Sequence, residues 1–305
     1  MGRSSKIKIT NINLSEPVLL GHVAMLVFSM LVAGSFSLGS IIANQVAPDA
    51  LTAIRFLIAF IIIVSITLVR EGVPRSSLVS PWRYFVLGGL FVSYFVLMFE
   101  GLKTATPVSA AAVFTLTPLL SAIIGYFMLK QIINKRIALA LFIGIIGALW
   151  AIFRADLNAF LIFDVGSGEL IYLVGCVAHA AYTPAVRKLN RGESPLVFTS
   201  GILCAGFIIL AVVSWENILL TPWLMLPLFF WFSLLYLAIF ASSVTILLLH
   251  YSTMRLPASK VMAYTYLTPS WVVLWEMALG KQSPPLLVLL GVILIFFSLL
   301  LLLRD

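Results

Sequence analysis

The sequence predicts an all-α polytopic membrane protein, with ten transmembrane helices arranged as two inverted five-helix repeats. Three observations lead there. Of 305 residues, 62% are hydrophobic and 10% are charged, against roughly 25% charged in soluble domains; a polar surface cannot cover such a chain. The apolar residues fall in continuous runs long enough to cross a hydrocarbon core as helices, and their lack of alternation excludes an outer-membrane barrel. A short spelling also recurs. Leu116-Thr117-Pro118 followed by Lys130-Gln131 returns as Leu267-Thr268-Pro269 followed by Lys281-Gln282, each shifted by 151 residues (118 to 269, 130 to 281). That shift is about half the chain, as an internal duplication requires.

In chain order, residues 1–17 form a polar, basic cytoplasmic segment with Arg3, Lys6 and Lys8. Spans are expected near 18–43, 50–69, 82–103, 105–128 and 136–153, which make the first repeat, 18–153. A connecting loop, 154–168, carries one arginine, two aspartates and Gly166-Ser167-Gly168. The second repeat, 169–305, holds spans near 169–187, 195–213, 227–252, 258–279 and 284–303. Short loops leave no room for a soluble domain.

Counting Lys and Arg at alternate span ends places Arg55, Lys103, Arg154 and Lys281 on one side and the other fifteen of nineteen on the opposite side. By the positive-inside rule the richer side, with both termini, is cytoplasmic. Five is odd, so two five-span copies enter the membrane in opposite senses: Lys130 falls inside and Lys281 outside. Inverted repeats with a site near the midplane are a recurring plan of secondary transporters.

Other classes are excluded. The net charge of +8 is spread over short clusters between apolar runs, which orients a membrane protein rather than binding nucleic acid. Cys176 and Cys204 lie inside apolar runs and spell neither a disulfide framework nor a zinc site. There is no Gly-rich phosphate loop ending in Lys-Ser/Thr, and Gly166-Ser167-Gly168 lacks a third glycine at Ile171. No cofactor or metal is expected. The first apolar run is too long for a cleavable leader. The expected partners are the lipid bilayer and a small-molecule substrate, with the chain a monomer or homodimer.

Several stretches resemble the drug/metabolite transporter superfamily, in its EamA-type ten-helix branch. They are Pro48-Asp49-Ala50-Leu51-Thr52-Ala53-Ile54-Arg55-Phe56, Gly101-Leu102-Lys103-Thr104-Ala105 running into Ser109-Ala110-Ala111-Ala112, the two Leu-Thr-Pro motifs, and Ser252-Thr253-Met254-Arg255-Leu256-Pro257-Ala258-Ser259. The resemblance covers nearly the whole chain. It implies that spans 1–4 and 6–9 surround a central path, with spans 5 and 10 peripheral. It also implies export of amino acids, drugs or other small metabolites.

A titratable side chain inside a span is costly and is a functional candidate by default. His179 lies about ten residues into span six. Two readings stand: an imidazole bonded between helices, or a substrate contact that responds to protons. His22 and His250, near cytoplasmic span ends, are expected to meet loops or headgroups. Arg55, Glu100, Lys103, Glu276 and Lys281 map to outer span ends. They form either a solvated rim or a gate in which Arg55 pairs with Glu100 or Glu276. Tyr264, Thr268, Trp271 and Trp275 share one helical face, read as packing or as a cavity wall; the resemblance turns span nine inward. Tyr94, Thr117, Tyr182 and Ser243 are further binding candidates by depth and polarity. Ser35 and Ser37 suit close helix approach. Pro118 and Pro269 are expected to bend paired helices at mid-span. The expected function is a secondary transporter, an exporter of a small amino-acid-like or drug-like metabolite working by alternating access across the cytoplasmic membrane. The rivals are an integral-membrane enzyme using His179 and a receptor or assembly subunit without transport.

Overall fold

The computed structural model describes residues 16–130, 135–153, 165–281 and 286–303. Gln131, Gln282, Arg154, the basic residues before position 16, Arg304 and most of the 154–168 loop lie outside the described residues. Helices occupy each apolar run, with edges within two residues of expectation. They are α1 Glu16–Ile42, α2 Pro48–Arg70, α3 Trp82–Leu102, α4 Pro107–Leu129, α5 Lys135–Ile152, α6 Ser167–Leu189, α7 Pro195–Val213, α8 Leu228–Thr253, α9 over 258–278 and α10 Leu286–Leu303. Among the described residues, α1–α4 and α6–α8 are seven helices long and apolar enough to cross a membrane. The ten-span expectation thus meets seven such helices. α9 is divided by the 3-10 turn Tyr264–Leu267 into pieces too short to count.

Local chemistry sets the starts. Pro48, Pro107 and Pro195 stand in the first turns of α2, α4 and α7, where a missing N–H costs nothing. The Thr106 and Ser194 hydroxyls accept from the Ser109 and Val197 amides, 3.2 and 3.3 Å away. At the far end of α9, Gly280 takes φ +76° while the Lys281 amide donates to Glu276 O at 2.9 Å, closing a Schellman motif.

The packing has an order that matters for the site. α3 lies on α6 and α7, α2 on α7, and α5 on α10; α1 lies on α8 and α9, and α4 on α6 and α9. Exchanging each helix n for n + 5 maps α1–α8 onto α6–α3 and α1–α9 onto α6–α4, so the main contacts survive the exchange. α4 and α9 are antiparallel: the first half of each packs on the second half of the other. α3 meets its neighbours at glycines. A Cβ on Gly88 would stand 2.8 Å from Gly206 N of α7, and one on Gly101 would stand 2.6 Å from Gly168 O of α6. One apolar core runs through both halves. The outer surface carries Leu68, Val69, Phe127, Val212, Val213, Phe232 and Leu287 exposed, the inside-out arrangement of a chain whose solvent is lipid.

Candidate functional site

His179 projects from α6 into rings supplied by the other half of the chain. Its imidazole stacks on Tyr94 of α3 with centroids 4.3 Å apart, and lies 5.3 Å from Phe114 of α4 and 6.0 Å from Phe91 of α3. Tyr182, one turn along α6, is parallel to it at 6.4 Å and stacks on Phe91 at 4.6 Å. Tyr172 completes the box, its hydroxyl 3.3 Å from that of Tyr94. His179 is 1% exposed, and neither ring nitrogen meets a protein partner. A buried donor or acceptor left unpaired is costly. The first reading of His179, an imidazole bonded between helices, does not hold here. Phe91, Phe114 and Tyr172 were not singled out from the sequence. Tyr172 carried a signal: it precedes His179 by seven residues, on the same helical face.

Beyond Tyr182 the polar chain continues. Its hydroxyl lies 2.7 Å from His250 Nε2, and His250 Nδ1 lies 2.8 Å from Thr199 Oγ1, joining α6, α8 and α7. His250 is therefore buried between three helices, not set at a loop or headgroup. His22 likewise bonds a helix, its Nδ1 3.0 Å from the Tyr264 hydroxyl.

Arg55 overturns the rim expectation. It is 0% exposed and none of its partners is a carboxylate. Its Nε donates to Leu237 O at 3.1 Å and Ser242 Oγ at 2.6 Å, and its Nη2 donates to Ala241 O at 2.6 Å. The guanidinium carbon stands 3.8 Å over the Phe95 ring. The cause lies in α8, where Ile239–Val244 is a π-helix. That geometry departs from regular helical pairing, and Arg55 donates to carbonyls in and beside it. Ser243, a binding candidate by depth, turns its hydroxyl to Ala238 O at 2.9 Å in the same segment.

The other rim residues pair locally. Glu100 and Lys103 bond at 2.8 Å beside a cleft of about 580 Å³ that also meets Asp49 and Asn217. Glu276 is buried rather than solvated, with Oε2 2.9 Å from Lys281 Nζ and Oε1 unpartnered. Neither carboxylate reaches Arg55.

Both Leu-Thr-Pro motifs lie where a helix is interrupted. α4 breaks after Phe114 and restarts at Thr117, with Pro118 in its new first turn; α9 passes through its 3-10 turn and restarts at Thr268, with Pro269 likewise placed. Proline removes the N–H owed to the carbonyl four residues back, which is Phe114 O for Pro118. The Thr117 hydroxyl replaces that donor at 2.7 Å and lies 3.1 Å from Thr265 Oγ1 of α9. Thr117 is thus a joint between α4 and α9. Its counterpart Thr268 is buried with no protein partner. The rest of the α9 face meets α1 and α8: Trp271 Nε1 donates to Ser29 Oγ at 3.2 Å, and Trp275 lies edge-on to Tyr236 at 5.4 Å.

At the α2–α3 end, Arg83 and Glu193 form a buried ion pair at 2.7 Å. Arg83 also donates to Leu189 O at 2.7 Å, and Ser194 Oγ donates to Glu71 Oε2. These bonds tie the α2–α3 turn to the α6–α7 turn beside a cavity of about 430 Å³. Burial pushes the Glu193 carboxyl up, but hydrogen bonds from Arg83 and the Arg191 amide outweigh it and hold the group below the ordinary 4.5. Among the described residues no group of three His, Cys, Asp or Glu could hold a metal ion.

Comparison with known proteins agrees with this architecture. The chain is 28% identical over 281 residues to the uncharacterized transporter YyaM of Bacillus subtilis (strain 168), covering 89% of this chain and 92% of that one. It is 18% identical over 273 residues to the uncharacterized transporter YetK of the same organism, covering 86% and 80%. A solved crystal structure at 22% identity superposes with a TM-score of 0.70 over 93% of this chain and 95% of the other, a likeness of fold. The EamA-like transporter model matches twice, at residues 19–153 and 166–304. The chain therefore belongs to the EamA-like transporter family and is a multi-pass membrane transporter.

Proposed function

We propose that the chain is a secondary transporter working by alternating access, which exports a small amino-acid-like or drug-like metabolite carrying a planar apolar group. In this reading it has ten spans in two inverted repeats, 18–153 and 169–305, with 154–168 between them. It lies in the cytoplasmic membrane with both termini inside. The contacts that survive exchange of the halves and the antiparallel crossing of α4 and α9 support the inverted arrangement. The excess of Lys and Arg on one side supports the orientation.

One observation carries the substrate reading. His179 sits at the seam of the halves, inside Phe91, Tyr94, Phe114 and Tyr182, with both nitrogens free of protein partners. Apolar walls with a few convergent polar atoms are how small-molecule sites are built. Rings on three sides accept a flat group, and the imidazole supplies the bond that orients it. Further buried hydroxyls without protein partners, at Ser35, Ser121, Thr183 and Thr268, lie on α1, α4, α6 and α9.

Flux in liposomes reconstituted with the full chain tests this, using radiolabelled aromatic and aliphatic amino acids and amphipathic cations, with and without a pH gradient. The reading expects saturable flux that His179→Ala and Tyr94→Leu reduce at least about tenfold, the scale of one lost charge-free hydrogen bond plus ring contact. Absence of flux for every compound, or full rate and affinity in both variants, overturns it.

A further inference from the structure

Arg55 carries a full positive charge in the interior, and its protein partners are two carbonyls, one hydroxyl and two rings, Phe95 at 3.8 Å and Phe99 at 5.6 Å. Its Nη1 has no protein partner although it is buried. Arginine cannot shed its proton, and a buried charge is ordinarily matched by an opposite one. None of the Arg55 partners is a carboxylate: Glu100 pairs with Lys103, Glu276 with Lys281 through Oε2, Glu169 accepts from Ser109 Oγ, and Asp49 accepts from the Ala50 amide and Asn217.

We infer that the free Nη1 face of Arg55 is the recognition point for a carboxylate on the transported molecule. The inference rests on the transporter reading and names the chemistry of its substrate. Position supports it. Phe95, under the guanidinium, is 4.7 Å from Tyr94, which in turn stacks on His179 at 4.3 Å. Arg55 is thus two rings from the box, with the Phe95 ring against its guanidinium. The charge also fits. One free nitrogen and one uncompensated unit of charge suit a singly charged carboxylate, whereas a phosphate dianion would leave a net negative charge inside. The bonds from Nε and Nη2 to α8 fix the guanidinium plane, so Nη1 is presented without further ordering.

The test compares acids with their neutral amides: 3-phenylpropionate against 3-phenylpropionamide, phenylalanine against phenylalaninamide, and hexanoate against hexanamide, with inorganic phosphate alongside. Each is added at millimolar concentration to the purified full chain in detergent, and thermal stabilisation is converted to affinity. The inference expects at least one acid to bind about ten- to hundredfold more tightly than its amide, as a charge-assisted bond implies. Arg55→Met abolishes that preference and Arg55→Lys keeps part of it. His179→Ala weakens acid and amide together and leaves their ratio unchanged. If no acid outbinds its amide on the native chain, the inference falls whether or not the Arg55 variants fold. Equal stabilisation by phosphate also overturns it. Flux of neutral or cationic compounds in liposomes would then leave the transporter reading standing without a carboxylate.

Discussion

Replacing His179 by Phe separates a residue kept for packing from one kept for binding. The ring stays, and so does stacking on Tyr94 and Phe114. What disappears is a pair of nitrogens without protein partners in a fully buried site. Each unpaired buried donor or acceptor costs about 1–3 kcal/mol, so their removal releases about 2–6. Phe adds one heavy atom to a tight site, and overpacking takes back about 1–3. The net expectation is stabilisation by about 1–3 kcal/mol, a few degrees in melting temperature at about 2–4 °C per kcal/mol. Flux should fall to background in the same variant. Unfolding of purified protein in detergent, followed by retention of the monodisperse peak after heating, reads the first quantity; liposome flux reads the second. A melting temperature lowered by several degrees would mean that the nitrogens are satisfied in the native protein, and the argument from unpaired atoms would be wrong. Higher stability with undiminished flux would remove His179 from the site.

Three further outcomes follow from the packing. Gly88→Ala puts a methyl against Gly206 N and Ile202 O, backbone that cannot rotate away, and should cost about 1–3 kcal/mol; neighbouring Gly89→Ala, with only Ile209 Cδ1 at 3.8 Å, should be neutral or stabilise by up to about 1 kcal/mol. Thr117→Val keeps the shape but uncovers Phe114 O and cuts the link to Thr265, so melting should fall by the equivalent of about 1–3 kcal/mol, with Thr117→Ser close to the native chain. Because the folded Glu193 carboxyl titrates below 4.5, its contribution is fully present above that pH and is lost as pH falls through the lowered value. Amide hydrogen exchange at the α6–α7 turn, corrected for its intrinsic pH dependence, should therefore accelerate in acid, and Glu193→Gln should give the fast corrected rate at neutral pH and remove that acid response.

Much of the fold was legible because a bilayer demands long unbroken apolar helices. The Leu-Thr-Pro repeat marks the two interrupted helices in the sequence itself, since proline chemistry is local. Depth and partners were harder to read. Arg55 was assigned to a rim by counting from its span end, yet its environment is made by α8, whose π segment no helical pattern announces. The same counting sends His250 to loops or headgroups, and it is buried instead because α6 and α7 bring Tyr182 and Thr199 to it. Thr117 and Ser243 were chosen as polar groups at depth. Both hydroxyls serve broken backbone turns, a demand visible only once the break is located. His179 differs. Its cost inside a span is a one-residue property, so sequence alone could single it out.

The π segment has a consequence for changes in chain length. Such a segment amounts to a regular helix with one residue added. The wide turn absorbs that residue, so the windings on either side of it keep their register. Removing one residue between 239 and 244 would restore ordinary winding and leave His250 where it joins Tyr182 to Thr199. The same deletion in the regular winding that follows, Thr245–Thr253, would swing everything downstream by about 100°, the angle per residue of an α-helix, and would carry Tyr251 toward the place of His250.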